Sequence, residues 1–409
     1  MSTRLLALSV FFLSVRVLAL TGIEDLIDHL NKKNQEILSL EKIAESKEAQ
    51  KKSADSVYYP TLNIVGGWGQ NKTDELPAVQ KGYLGYAEGK FNLFHGFRDQ
   101  SITQQKSAEA KIALINVESK KNSLKVQLTE IMSEMILLHH LQSILNDEYK
   151  MTQTQKQMAI KKVSAGLTGT VDNLEFDLRE NEIQMEQKQI DQQHIEAHQK
   201  LLSLYGQEIA DTLIDNIKFG SIESLSQMPT QLKIETTLEY QKANLDLDLA
   251  QFEKNEVTSD YKPSLDFSYS FGRLTPSEDS SAKLNESKYA IQLTIPLFSG
   301  FETYNKTKAA SANISSIEKN KQQQINNIQS EYNVLRGKIV ESISMYNLVE
   351  KKIAHLEKYF DLTLSEYKRG VKNSPDLVSA TERLFGARKK KYELLKDLEI
   401  LKARIERFI

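Results

Sequence analysis

The sequence predicts a mainly helical fold with a small β part. Long antiparallel helices dominate it, and four short strands belong to a membrane barrel shared between several chains. Three observations predict this. Helix breakers are missing over two very long stretches, the chain is written twice, and the strand segments alternate apolar with polar residues.

Helix breakers come first. The 409 residues hold only seven prolines and 17 glycines. Residues 97–165 contain neither, and residues 301–369, also 69 long, contain only Gly337. Proline breaks a helix and glycine weakens it, so each stretch is free to run as one helix. A continuous helix of that length spans roughly 100 Å, far beyond a globular domain. In the first stretch Ile112, Ile115, Ser119, Asn122 and Val126 recur at helical spacing. Such a narrow stripe suits a coiled coil better than a globular core.

The duplication follows from three landmarks. Pro60-Thr61-Leu62-Asn63-Ile64 answers Pro263-Ser264-Leu265-Asp266-Phe267 at an offset of 203. Leu93-Phe94-His95-Gly96-Phe97 answers Leu297-Phe298-Ser299-Gly300-Phe301, and Gly166-Leu167 with Asp172 answers Gly370-Val371 with Asp376, both at 204. Residues 1–19 read as an export signal: Arg4, then an apolar run from Leu5 to Val15, then Val17-Leu18-Ala19 as the cleavage site. Residues 20–205 form the first repeat, 206–230 an insert with Gly206, Gly220 and Pro229, and 231–409 the second repeat.

Each repeat opens with an amphipathic helix, over 23–56 and 231–258. Two strands follow, over 61–70 with 83–94 and over 264–273 with 288–298. The linkers 71–82 and 274–287 are polar and read as exposed loops. The long helix then reaches Gly166 or Gly370, the chain turns, and a helix of about 35 residues returns. Thr168, Thr170 and Asp172 offer caps after the first turn; Asn373, Ser374 and Asp376 do so after the second, where Pro375 suits a first helical turn.

The strands carry the functional signal. Leu265, Phe267, Tyr269 and Phe271 share one face opposite Asp266, Ser268, Ser270 and Gly272. Ile291, Leu293 and Ile295 repeat the alternation, beside Tyr289 and Leu297. Ile64 and Trp68 form a weaker face, as do Ala87, Phe91 and Leu93, because glycines dilute both. About ten residues, apolar on one side, is the pattern of a lipid-facing barrel strand. Four strands cannot close a barrel, since the small closed ones use about eight. Closure therefore demands more than one chain.

Composition removes other classes. Lys and Arg number 53 against 55 Asp and Glu, a net charge of −2, so no basic field points to nucleic acid. The absence of cysteine excludes a disulfide framework, thiolate metal sites and a cysteine nucleophile. His194 and His198 stand one helical turn apart without a third ligand, and read as a solvated face. His139 and His140 read as packing or exposed residues, and Arg388-Lys389-Lys390-Lys391 as a solvated basic face. No glycine-rich phosphate loop or nucleophile elbow accompanies the many carboxylates, so neither an enzyme nor a cofactor is expected.

The ordered, duplicated set of motifs resembles the TolC family of outer-membrane efflux and secretion channels. Its carriers are Tyr59-Pro60-Thr61-Leu62 and Tyr261-Lys262-Pro263-Ser264-Leu265 at strand entry, and Phe91-Asn92-Leu93-Phe94-His95-Gly96 and Ile295-Pro296-Leu297-Phe298-Ser299-Gly300 at the strand-to-helix joins. Val163-Ser164-Ala165-Gly166-Leu167 and Tyr367-Lys368-Arg369-Gly370-Val371 complete it at the helix turns. The resemblance implies a homotrimer, with a twelve-stranded barrel in the outer membrane and a trimeric α-barrel across the periplasm. It implies a periplasmic adaptor (a membrane fusion protein) meeting the tips at Gly166, Leu167, Gly370 and Val371, and an inner-membrane transporter supplying energy. Residues 206–230 would belong to an equatorial belt. Asp376, Asp172 and Lys372 become candidates for the pore and gate; Ser379 stands where the family has a second acidic residue, so the ring is thinner. The role implied is a passive exit duct for efflux or type I secretion. The alternative is a periplasmic coiled-coil scaffold or adaptor protein without a pore.

Overall fold

The computed structural model describes residues 23–73, 76–205, 218–220, 232–278 and 286–408. The expected export signal and most of the 206–230 insert lie outside these residues. Eleven main elements follow in order: α1 (Ile23–Lys33), α2 (Gln35–Asp55), β1 (Thr61–Thr73), β2 (Leu76–His95), α3 (Arg98–Ser164), α4 (Val171–Tyr205), α5 (Leu238–Ser259), β3 (Ser264–Ser277), β4 (Glu286–Thr294), α6 (Glu302–Lys368) and α7 (Ser374–Glu406).

The long helices behave as the missing breakers require. Helices α3 and α6 are each 67 residues and uninterrupted. Both start from the same device. Gly96 and Phe97 take φ of 59° and 69°, and Gly300 and Phe301 take 63° and 66°, at an offset of 204. A positive φ is uncommon for phenylalanine. Here an edge-on contact secures each ring, Phe97 on Phe94 at 5.2 Å and Phe301 on Phe298 at 5.5 Å. The Phe97 and Phe301 carbonyls then accept the first helical bonds, from Ser101 at 3.1 Å and Asn305 at 3.0 Å.

Several boundaries differ from the expectation. The first amphipathic helix is two helices, broken at Asn34, whose amide donates to the Leu204 carbonyl at 3.1 Å. Its counterpart starts later, at Leu238, where Thr237 caps it by accepting from the Tyr240 amide at 3.3 Å. The strands extend into both expected loops, and β1 still pairs with β2 at Thr73 and Leu76. Strand β4 stops at Thr294, so Ile295 and Leu297 lie beyond the ladder. In α3 the buried stripe is Ala110, Ala113, Val117 and Leu124, two residues out of phase with the expected one. Alanine lets a neighbouring backbone approach, and that close approach decides which side faces inward.

The chain divides into two compact units, each drawing on both repeats. One, the sheet unit, takes its residues from Gln35–Leu124, Gln227–Val340 and Leu401–Ile409. Its antiparallel sheet has the order β1-β2-β3-β4. Ion pairs tie helices below the sheet, among them Arg98 to Glu256 and Asp260, both at 3.3 Å, and Lys47 to Glu109 at 2.8 Å. The other, the helical unit, draws on Met1–Asn34, Lys125–Ser226 and Glu341–Ile400. In it the Tyr205 hydroxyl donates to the Leu26 carbonyl at 2.5 Å. Burial pushes that phenol up to about 12.

Candidate functional site: the exposed sheet face and the helical turns

The sheet register gathers the apolar residues of all four strands on one face. Ile64 stands beside Ala87 and Phe271; Leu62 beside Gly89, Tyr269 and Tyr289; Phe91 beside Phe267 and Ile291. The glycines that weakened the first strand pair now have a reason. Gly89 sits between Leu62 and Tyr269, where a small residue leaves room for large neighbours. Leu93 departs from the expected face, because it occupies a β-bulge between Asn92 and Phe94. The bulge shifts the register and sets Phe94 opposite Leu265.

This apolar face is bare in the single chain. Ile64 is 92 % exposed, Tyr289 77 % and Ile291 67 %; Leu293, Ile295, Tyr269 and Phe271 are also exposed, and Leu265 and Phe267 are half-buried. The opposite face carries Glu88, Lys90, Asp266, Ser268, Ser270 and Gln292. Where the sheet meets α3, His95 bridges two strands and the helix: one ring nitrogen lies 3.0 Å from Asp266 and the other 3.4 Å from Asp99.

The two helical turns share one backbone design. Gly166 has φ of 71°, the Gly166 amide donates to Val163 at 2.9 Å, and the Leu167 amide donates to Lys162 at 2.9 Å. Gly370 has φ of 79°, with matching bonds to Tyr367 and from Val371 to Glu366, both at 3.0 Å. This left-handed cap satisfies the last carbonyls of α3 and α6 and is open to glycine at low cost. Leu167 and Val371 project from the turns, 72 % and 69 % exposed.

The turns differ in how the return helix is capped. Asn373 and Asp376 form a reciprocal box: the Asp376 amide donates to Asn373 Oδ1 at 3.2 Å, and the Asn373 amide donates to Asp376 Oδ2 at 3.4 Å. The other Asp376 oxygen lies 3.7 Å from the Lys372 ammonium. Asp172 has no such box. Its amide donates to the Gly169 carbonyl at 3.2 Å, while its buried Oδ2 and the Thr168 hydroxyl have no hydrogen-bond partner. So Asp376 is engaged on both oxygens, by its own chain.

Behind the turns, α3, α4, α6 and α7 share a core of Ala159, Phe176, Phe360, Tyr367, Leu377, Ala380 and Leu384. The Phe176 and Tyr367 rings meet edge-on at 6.3 Å, and the Lys162 ammonium lies 3.9 Å from the centre of the Tyr367 ring.

A buried ionic cluster was not anticipated. Glu148 has no exposed side-chain surface and accepts two bonds from Arg179, one of them at 3.1 Å. Arg179 also donates to Glu182 at 2.9 Å and lies 3.4 Å from Glu382. Lys389 lies 3.6 Å from Glu148 and pairs closely with Glu186. Burial pushes the Glu148 carboxyl up, against the pull of Arg179 and Lys389. The signal was present in the sequence. Leu138, Leu145, Glu148, Thr152, Gln155 and Ala159 continue one buried seam of α3 at heptad spacing, and Arg179 shares a face of α4 with Phe176, Ile183 and Ile190.

The basic run is likewise corrected. Arg388 pairs with Glu357 at 2.8 Å, Lys389 with Glu186, Lys390 with Glu393 at 2.9 Å and Lys391 with Glu350 at 2.5 Å. It staples α7 to α4 and α6 instead of forming a solvated face. His140 stacks on Tyr392 with centroids 4.1 Å apart, and burial lowers its affinity for a proton. His194 and His198 are half-buried on α4. Among the described residues no group of three His, Asp or Glu is placed to hold a metal ion, and no helix is long and apolar enough to cross a membrane.

Comparison with known proteins now fits this geometry. Residues 234–409 match the outer membrane efflux protein family. No curated protein sequence matches the chain. Among solved structures, CusC is 14 % identical, with a TM-score of 0.81 over 94 % of this chain and 91 % of its own. VceC from Vibrio cholerae is 11 % identical, with a TM-score of 0.78 over 94 % of both chains. The open state of the Neisseria gonorrhoeae MtrE outer membrane channel is 13 % identical, with a TM-score of 0.77 over 95 % and 88 %. At these identities the likeness is one of fold. The second half of the chain thus matches the outer membrane efflux protein family, and the chain as a whole has the fold of these solved channels.

Proposed function

We propose that the protein is a passive exit duct that closes only when three copies assemble. One observation carries this reading: a single chain supplies a four-stranded sheet with a bare apolar face and two outer strands, β1 and β4, at its edges. An edge strand invites pairing, and here β4 of one copy can pair with β1 of the next. Two copies would give eight strands, whose interior side chains fill. Three give twelve and leave a lumen, lined by the polar face. A periplasmic scaffold without a pore would leave Ile64, Tyr289 and Ile291 against water without a reason.

In this reading residues 1–19 are removed on export, and the two repeats, 20–205 and 231–409, each supply one strand pair and one helical hairpin around the 206–230 insert. The turns at Gly166 and Leu167 and at Gly370 and Val371 meet a periplasmic adaptor, and an inner-membrane transporter drives cargo in a tripartite pump or a type I secretion system. Asp376, Asp172 and Lys372 line the narrow end. The Lys372–Asp376 pair, at 3.7 Å, offsets part of the acidic charge there, so cation attraction is weaker than a bare carboxylate ring would give.

The test is light scattering of the detergent-extracted protein together with conductance in planar bilayers. The expected result is a mass of three chains and steady pores. A monomer recovered from the soluble periplasmic fraction would overturn the proposal.

A further inference from the structure

The duplication supplies an internal comparison at the two strand-to-helix joins. Both turn on the same backbone, Gly96-Phe97 and Gly300-Phe301, at an offset of 204. The side chains across each turn differ. The second join pairs Ser299 with buried Thr303, hydroxyl to hydroxyl at 3.0 Å. The first has His95 and Asp99 in those places, and Asp266 of β3 faces the other edge of the ring. A hydroxyl keeps its charge between pH 5 and 8, whereas histidine changes charge in that range.

The distances fit a neutral ring with its hydrogen on Nε2. That nitrogen lies 3.0 Å from Asp266 Oδ1 and donates there, while Nδ1 accepts from the Asn92 amide nitrogen at 2.7 Å. The same amide nitrogen donates to Asp99 Oδ2. A proton added at Nδ1 would set one donor against another, so the Asn92 contact must then break. Two acceptors are ready for the new hydrogen. Asp99 Oδ2 is 3.4 Å from Nδ1, and Asn92 Oδ1, buried and without a hydrogen-bond partner, comes round when its amide rotates. The join thus has two hydrogen-bonded arrangements, one for each charge of the ring.

We propose that the first join is a proton-operated switch between strand and helix, and that the second join is fixed. Charged His95 makes two ion pairs, to Asp266 on β3 and to Asp99 in the first turn of α3; the neutral ring makes none. Acid therefore clamps one end of the 67-residue helix to the sheet. The clamp loosens as pH rises through the range in which histidine loses its charge. Solvent protons reach the site, since the His95 side chain is 34 % exposed and that of Asp266 47 %. The other charged groups packed around the join are Arg98, held by Glu256 and Asp260, and Lys262, whose stem abuts Gly96 and whose ammonium lies 4.8 Å from the centre of the Phe97 ring. Of these residue types only histidine changes charge over that range. The switch lies within one chain and does not depend on assembly.

The test is hydrogen exchange of the full chain, read by mass spectrometry at about pH 5.5 and about pH 8 and corrected for the intrinsic rate at each. Peptides from the first turns of α3 and α6 report the two joins, through the Ser101 and Asn305 amides that donate to Phe97 and Phe301. Protection at the first join should rise roughly threefold in acid, the size of a partly exposed ion pair, and protection at the second should stay level. The double variant His95→Ser with Asp99→Thr writes the second join into the first, so it should fold and lose the response. Asp266→Asn keeps the shape of the site, removes one carboxylate and should weaken the response. Circular dichroism checks that each variant is folded, and Asp266→Asn carries the test if the double variant is not. Equal protection of the first join at both pH values, an equal rise at both joins, or a full response in either folded variant would overturn the switch.

Discussion

Replacing Arg179 with methionine tests the buried ionic cluster directly. Methionine keeps much of the length and apolar reach of arginine but none of its charge. In the native chain Arg179 holds Glu148 with two hydrogen bonds and reaches Glu182 at 2.9 Å and Glu382 at 3.4 Å. Its side chain is only 10 % exposed, and that of Glu148 is 0 % exposed. Water therefore cannot replace the lost partner. Removing one member of a buried pair costs about 3–5 kcal/mol. Lys389, 3.6 Å from Glu148, remains as a partial counter-charge, so the expected loss is at the low end, about 3 kcal/mol.

The sign of the pH dependence follows. Burial already holds the Glu148 carboxyl above its ordinary range, and Arg179 pulls it down. Without Arg179 it rises further. The folded variant then keeps its proton to a higher pH than the unfolded chain does. Its stability therefore increases as pH falls through the raised folded value, and the gain is complete below the ordinary carboxyl range. The assay is unfolding followed by helical circular dichroism, at neutral and at mildly acidic pH. Arg179→Met should be about 3 kcal/mol less stable at neutral pH and should recover part of that in acid. The double variant Glu148→Gln with Arg179→Met should regain most of the loss at both. A single variant within about 1 kcal/mol of the native protein, or a deficit independent of pH, would refute the reasoning.

Three further outcomes follow from the same geometry. Gly370→Val should destabilise the second turn by roughly 1–2 kcal/mol or more, because the position needs φ of 79° although a side chain there meets open space; Gly386→Ala, a glycine inside α7 with no close neighbour, should instead stabilise by about 0.5–1 kcal/mol, and equal effects from the two in thermal melts would contradict the turn assignment. Ile291→Lys, 67 % exposed on the apolar sheet face, should cost roughly 2–4 kcal/mol of membrane stability and appear as loss of the heat-labile oligomer on gels; normal assembly would mean that this face does not meet lipid. Asp376→Ala removes the reciprocal cap and should lower stability by about 1 kcal/mol while changing the cation preference of reconstituted pores; an unchanged preference with lowered stability would leave Asp376 as a cap alone.

The sequence by itself determined the features that depend on neighbours along the chain. The two 67-residue helices, their ends at glycine turns, the repeated strand-to-helix joins and the alternating strands all follow from local sterics and periodicity. These rules act within a few residues, so a reader of the chain can apply them. Gly166 and Gly370 were legible because only glycine takes a left-handed cap easily. The apolar face shared by β3 and β4 was legible because side chains of a strand alternate.

Only the tertiary structure decided what those elements meet. Arg388 to Lys391 read as a solvated face, yet the carboxylates that hold them lie on three helices, Glu186, Glu350, Glu357 and Glu393. Glu148 and Arg179 were legible as polar residues in apolar stripes, but not as partners. The break at Asn34 depends on a carbonyl 170 residues away, and the displacement of Leu93 on a bulge set by pairing with β3. A charge or a polar group takes its energy from whatever lies within a few ångströms, and in a chain folded from long hairpins that neighbour is far away in sequence.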